Sequence, residues 1–516
     1  MMLRRFLGAC GLDALILVSW LAAVGWVVSY EYGLPGAMLR LSRQLISSRD
    51  ANEQWFGVYY HGHKMGFTHT TLLPDERNGM PGFELVDAGH LRLNLMGTLQ
   101  RLDLQARAFI DADHRLQTFS ATARSEGFDL TMTGTRQGDE LLLTLASPTG
   151  SMTQRLRDPS GELWLSGLSS WAAFHRLAPG QQGRIHVLNL LTLTPESATF
   201  QVIGRESVQG REVLVVQTDF QGLTSQTWLT PDGVVMKETS PLGWELVQEP
   251  VERAIAHVED TPGIDLLSTV AVPIDRPLED VASRTTLTLL VEGVDGRAFQ
   301  VDRRPWQELL SPERLAAYRV QAPHGAWCVI RLHRAPTQDS EAERVPPERR
   351  YTQPSLFIQS ENPWIRQQAK DIIGGLSEPS QQAQAINRWI FETLTKRLTV
   401  GIPSATDVLA TKAGDCHEHT VLFTALARSL GIPTRMIAGL VYYGDRFYYH
   451  AWPEVWLVTS GLPRSADAPS GAWVPLDPTL GQPVADLTHI GLAEAEADRL
   501  VALGRFVGRL RLRVLE

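Results

Sequence analysis

The stretch from Gly414 to Thr434, GDCHEHTVLFTALARSLGIPT, constrains this chain more than any other. A glycine turn leads into Asp415, which fits a helix N-cap, and Glu418 three positions later completes a D-x-x-E capping box. Cys416 then falls at the first helical position, where unpaired backbone N–H groups and the positive end of the helix dipole favour thiolate over thiol. The helix has Val421, Phe423, Leu426, Ala427 and Leu430 to bury, and it must stop at Gly431 ahead of Pro433. A rigid buried helix of this kind can mount a nucleophile. The plainer alternative is a small apolar thiol filling the core.

Two downstream runs weigh between those readings. RFYYHAWPEVWLV has β character and carries His450, 34 positions after Cys416 (416 to 450). AWVPLDPTLGQ ends a second strand at Asp477, 27 positions further on (450 to 477). A thiol to attack a carbonyl, an imidazole to exchange the proton and a carboxylate to fix the imidazole tautomer are the requirements of nucleophilic acyl transfer. The segments DVLATKAGDCHEHTVLFTALARSLGIPTRMIAGLVY, FYYHAWPEVWL and WVPLDPTLGQPVADLTHI resemble the core of the bacterial transglutaminase-like superfamily, which has a papain-like cysteine fold. The resemblance spans roughly Pro354 to Ile490. It implies Cys416 as nucleophile, His450 as base and acid, and Asp477 as the group that orients the imidazole. The chain departs from the family in one respect. An aromatic side chain upstream of the cysteine often helps hold the oxyanion, whereas LTKRLTVGIPS (Leu394 to Ser404) has none, which shifts that role towards the backbone N–H of Cys416 or onto another donor.

At 516 residues the chain is long for a single core. Its net charge of −9, with no long basic run, argues against a nucleic-acid partner. Three cysteines (Cys10, Cys328 and Cys416) are too few for a disulfide scaffold, and a Cys328–Cys416 bridge would consume the proposed nucleophile. Arg4 and Arg5 precede an uncharged run, ALILVSWLAAVGWVVSY, from Ala14 to Tyr30. Its 17 residues are at the short end for spanning a bilayer, and Trp20, Trp26 and Tyr30 suit its interfaces. No A-x-A cleavage signal follows, so the segment reads as an uncleaved single-pass anchor ahead of the alternatives, a cleaved signal peptide or a buried helix. Arg4 and Arg5 ahead of the run, against Arg40, Arg43 and Arg49 after it, orient the rest of the chain to the periplasmic side of a bacterial inner membrane.

The domain plan runs from the anchor (1–30) through a juxtamembrane helical linker (31–50) to a β-rich region of two subdomains (51–334). A charged, proline-bearing linker (335–350), a transglutaminase-like catalytic domain (351–490) and a C-terminal helix and strand (491–516) follow. In the β-rich region the runs are short and alternating, and turns such as HGHK, RQGDE and VQGRE supply Gly where positive φ is needed. A helical piece is expected over 163–177. His61, His63 and His69 read as surface hairpin residues rather than metal ligands. In the catalytic domain, Asn362-Pro363 opens a helix to about Ile373, a second runs from Ser380 to Lys396, and a third covers Ala405 to Thr411. Strands are expected over Thr434–Tyr443 and Phe447–Val458, with Gly444-Asp445 as the turn and Pro453 marking an edge or bulge. The tail reads as a helix from Ala493 to Leu503 and a final strand, RLRLRVL.

The expected fold class is therefore α+β: a papain-like core of helices and antiparallel sheet, preceded by an antiparallel β-rich region and one transmembrane helix. The expected function is a membrane-anchored cysteine acyltransferase or amidohydrolase acting through a thioester on a protein or peptide amide. No cofactor or metal is expected. His417 and His419 flank the nucleophile, but residues two apart on a helix point to different sides and H-E-x-x-H is not matched. A cysteine peptidase with the same three residues, or a tethered binding module without catalysis, are the alternatives. The partner of the β-rich region is not encoded in any motif.

Overall fold

The computed structural model describes residues 52–516 apart from short internal stretches, the longer being 165–176, 259–268, 300–305, 312–317, 335–346, 398–403, 459–470 and 497–502. The anchor and juxtamembrane segment, most of the 335–350 linker and most of the helix expected over 163–177 lie outside the described residues. Leu163–Trp164 itself is a short strand. Among the described residues no helix is long and apolar enough to cross a membrane. The described chain divides into two compact units, one ending at Leu266 and one running from Leu267 to Glu516.

The first unit is one antiparallel sheet of fifteen described strands, with a single parallel pairing at its last edge. Asn52–Tyr60 lies mid-sheet, between the strand that follows it, His63–Arg77, and the last strand of the unit, Trp244–Gln248. Neighbours in the sheet are neighbours in sequence on both sides of that seam, so short hairpin turns do most of the connecting. His61-Gly62 (φ 46° and 79°) and Gln209-Gly210 (φ 51° and 79°) take the left-handed pairs that two-residue hairpins require. Alternate burial along Leu223–Leu229 follows from the two-residue period of a strand with one face on a core. That core includes Phe56, Tyr60 and Trp244.

The second unit contains four helices that organise the site: α1 (Pro363–Ile373), α2 (Pro379–Thr393), α3 (Ala405–Thr411) and α4 (Cys416–Ser429). Its strands are β1 (Val272–Pro273), β2 (Thr286–Glu292), β3 (Gln307–Leu309), β4 (Trp327–His333), β5 (Thr395–Lys396), β6 (Ala413–Gly414), β7 (Thr434–Tyr443), β8 (Arg446–Val458), β9 (Gly471–Pro475), β10 (Ile490–Glu494) and β11 (Arg511–Val514). One sheet runs β1-β8-β7-β10 with β9 also on β8, and another runs β3-β4-β2-β11.

Local chemistry starts the helices where the sequence places them. The Asn362 carboxamide accepts from Trp364 N at 2.8 Å with Pro363 behind it, and Ser404 and Asp407 close a capping box on α3. Helix α4 packs against β7, β8 and the other three helices, and every residue from Cys416 to Arg428 is buried. The apolar stripe read from the sequence therefore understates the burial. The polar side chains between are accommodated within the helix and at its end: Thr420 and Thr424 donate to the carbonyls of Cys416 and Thr420, and Arg428 donates to the carbonyls of Thr434 and Gln353.

Three elements differ from expectation. Helix α2 stops at Thr393 instead of Lys396, because Thr395-Lys396 pair in parallel with Ala413-Gly414, a long-range partner no local pattern contains. Ala493 lies in strand β10, paired with Ala438 of β7 and buried, where helical propensity predicts a helix start; most of the rest of the helix expected to Leu503, residues 497–502, lies outside the described residues. Pro453 sits neither on an edge strand nor at a bulge: β8 pairs continuously with β7 through Met436↔Pro453. On the other side of β8, β1 pairs only Arg446 and Phe447, and β9 pairs from Glu454 onward. Pro453 falls in the gap between them, so its missing N–H costs no ladder bond.

Candidate active site

The gap along β8 is also where the site forms. Ala451 does not spend its N–H on a sheet partner; it donates to Cys416 Sγ at 3.2 Å. The N-terminus of α4 thus meets β8 at the residue next to His450. The cap holds it there. Asp415 accepts from His417 N at 2.9 Å, and Glu418 Oε2 accepts from Asp415 N at 2.9 Å. Gly414 is required sterically: a Cβ there would lie 2.3 Å from Glu418 Cβ.

His450 Nε2 lies 2.7 Å from Asp477 Oδ2, with both side chains fully buried. A carboxylate can only accept, so Nε2 carries the proton and Nδ1 is left with its lone pair. That Nδ1 is buried without a hydrogen-bond partner among the described residues. Asp477 is held by its own turn. Oδ1 accepts from Thr479 N and Leu480 N at 2.8 and 2.9 Å, and the backbone exchanges two hydrogen bonds with Gln482. Burial alone would raise its pKa, but His450 and a second histidine, His489, hold the carboxyl far below the usual range.

Nothing in the local sequence assigns His489 a role. Its Nε2 is 3.0 Å from the same Asp477 Oδ2, and its Nδ1 is 3.1 Å from Asp486 Oδ1. Asp486 is itself held by Thr488 N and Oγ1 and by Gln482 Nε2. The D-x-x-H spacing of Asp486 and His489 is visible in the sequence, but its convergence on Asp477 depends on how β10 docks on β7. Gly439 permits that docking, since a Cβ there would lie 1.9 Å from Ile490 O.

The histidines beside the cysteine are different. His419 Nδ1 contacts Asp415 O at 2.5 Å, and burial pushes its pKa down to about 4 against the raising effect of that carbonyl. His417 is likewise pushed down by burial, and neither of its ring nitrogens has a partner among the described residues. Both are neutral at physiological pH.

The ring-nitrogen and carboxylate atoms of His450, Asp477 and His489 lie within 4.8 Å of one another, close enough to share a metal ion. The hydrogen bonds argue for a proton network instead, because both Nε2 atoms direct a proton at one carboxylate oxygen. Cys328 and Cys416 are both unbridged. Cys416 itself has 0% exposure, so a substrate carbonyl reaches Sγ only if the surrounding structure opens.

Residues 366–478 match the transglutaminase-like superfamily, a span that contains Cys416, His450 and Asp477 and stops short of His489. The chain thus carries a transglutaminase-like domain. No curated protein matches it. Among solved structures, a candidate cysteine protease from Cytophaga hutchinsonii is similar at 17% identity over 44% of this chain and 82% of that one, with a TM-score of 0.27. A beta-barrel-like protein of a domain of unknown function from Brucella abortus is similar at 11% identity over 38% and 94%, also with a TM-score of 0.27. A candidate protease from Parabacteroides distasonis is similar at 8% identity over 76% and 68%, with a TM-score of 0.18.

Proposed function

We propose that this chain, which carries a transglutaminase-like domain, is a membrane-anchored thiol acyltransferase or amidohydrolase using Cys416, His450 and Asp477. One observation carries the reading. A buried imidazole is fixed by a carboxylate through Nε2, keeps Nδ1 without a hydrogen-bond partner among the described residues, and sits one residue from the N–H that touches the cysteine sulfur. In the reaction, His450 Nδ1 takes the Cys416 thiol proton, and the thiolate attacks the amide carbonyl of a protein or peptide. The C–N bond breaks as His450 hands its proton to the departing amine, leaving a thioester on the sulfur. Water or an amine then attacks that thioester, His450 takes the attacking group's proton, and the thiolate leaves. Asp477 keeps the imidazole in the productive tautomer, and the proton transfers supply roughly 10²–10⁴-fold of the rate. The backbone N–H of Cys416, in the first turn of α4, is the natural donor to the oxyanion.

The anchor over residues 14–30 and placement on the periplasmic side of an inner membrane belong to the same proposal and rest on the uncharged run and its flanks. Product analysis with and without an added primary amine separates the two outcomes: transfer incorporates the amine, and hydrolysis or peptidase action does not. The complete burial of Cys416 favours a second reading, in which the domain is a tethered binding platform. Persistent partner binding and full biological rescue by Cys416→Ala would select it.

A further inference from the structure

We propose that His489 is a positioning residue of the same site: a cation that holds Asp477 from a second direction and screens its charge from the His450 ring. The inference rests on the reading of Cys416 and His450 as the reacting pair.

The charge follows from the hydrogen bonds. His489 Nε2 faces a carboxylate oxygen of Asp477, and Nδ1 faces the carboxylate and carbonyl oxygens of Asp486. All of these atoms only accept, so both ring nitrogens donate, and an imidazole that donates twice is an imidazolium. Burial pulls its pKa down, yet the hydrogen bonds and charges of the two aspartates outweigh burial and hold it at about 9. The ring is buried, with the Trp452 indole edge-on at 5.0 Å. Asp477 therefore receives four donors, two imidazole N–H groups on Oδ2 and two backbone N–H groups on Oδ1. It can neither rotate nor take the His450 proton without breaking several of them.

The other titratable groups acting here among the described residues are Lys396 and His419, both of which feel Asp477, and Glu418, which acts on His419. His419 is neutral, and Lys396 is a half-buried cation on β5. His489 is thus the one cation among these groups bonded directly to Asp477. Its ring centroid is 5.7 Å from that of His450. A positive charge there opposes protonation of the Cys416–His450 pair. Removing it must move both proton-loss steps of the pair to higher pH, whichever group each step is assigned to.

The test measures the rate at which iodoacetamide alkylates Cys416 in the intact chain between pH 4 and 10, located by peptide mass. Wild type is compared with His489→Gln, which keeps a donor and loses the charge, and with Asp486→Asn, which removes one of the two carboxylates that keep His489 charged. At an effective dielectric of about 20, one charge at this separation corresponds to an upward displacement of roughly two pH units for the step centred on the His450 ring. His489→Gln is expected to show an upward shift of that order, and Asp486→Asn a smaller one in the same direction. Folded variants whose profiles coincide with wild type overturn the role of His489 while leaving the site intact. Should His489→Gln fail to fold, Asp486→Asn decides alone. If wild-type Cys416 is not alkylated at any pH, the reading of the site fails, and this inference with it.

Discussion

Arg435 ties together the strands that carry the site, and its replacement by methionine is the sharpest test of the packing. Its Nε and Nη2 lie 2.9 and 2.7 Å from Glu454 Oε2 across the β7–β8 register pair, and Nη1 is 3.8 Å from Glu494 on β10. The guanidinium lies over the Trp473 ring at 4.3 Å, and the side chains of Arg435, Glu454 and Glu494 are at most 3% exposed. Removing the cation leaves the buried carboxylate of Glu454 without it, which costs about 3–5 kcal/mol. In a unit of this size that lowers the thermal midpoint by roughly 6–20 °C. Replacing both partners removes the stranded charge, so Arg435→Met/Glu454→Met is expected to recover most of the loss. Urea unfolding followed by tryptophan fluorescence, fitted for the transition that includes Trp473, measures each variant and the coupling between them. A single Arg435→Met variant within about 1 kcal/mol of wild type, or a double variant no better than the single, would refute the assignment.

Other consequences are equally concrete. His489 has a raised pKa, so its contribution, roughly 3 kcal/mol for a rise from 6.5 to about 9, is complete below pH 6.5 and lost as pH climbs through 9. His417 and His419 have lowered values, so stability also falls as pH drops below 6.5. Thermal scans should place the stability maximum of the 267–516 unit near pH 6.5, and His489→Gln should flatten its alkaline side. Gly439→Ala forces a Cβ to 1.9 Å from Ile490 O and 2.7 Å from the Trp452 ring, and should destabilise by about 3 kcal/mol or more in the same urea assay. Burial first, and the charge of Asp295 second, push the Cys328 thiol up to about 12, so peptide mapping after alkylation below pH 9 should find Cys328 unmodified.

What was legible in the sequence was local. The caps of α1 and α4, Asn362-Pro363 and Asp415 with Glu418, act over two or three residues, and the structure forms both as read. The turn at Gly444-Asp445 between β7 and β8 is local too. What escaped depended on distant partners. Thr395-Lys396 leaves the helix because Ala413-Gly414 offers a strand, and Ala493-Glu494 join β10 because β7 has an edge to fill. His489 had no visible role because its meaning lies in where Asp477 ends up, 12 residues earlier in the chain. The side chains of His450 and Asp477 do meet, and an Ala451 N–H ties the cysteine to the same strand. The depth at which Cys416 is buried is a property of the whole unit, which no motif encodes.

The proposed reaction turns on attack of the Cys416 sulfur on a carbonyl. The direct measurement is the mass of the intact chain after incubation with an electrophilic amide probe near pH 7, followed by peptide mapping. A single adduct on Cys416 that disappears in Cys416→Ala is the expected result. A wild-type chain that stays unlabelled while folded, or that carries the adduct elsewhere, would contradict it.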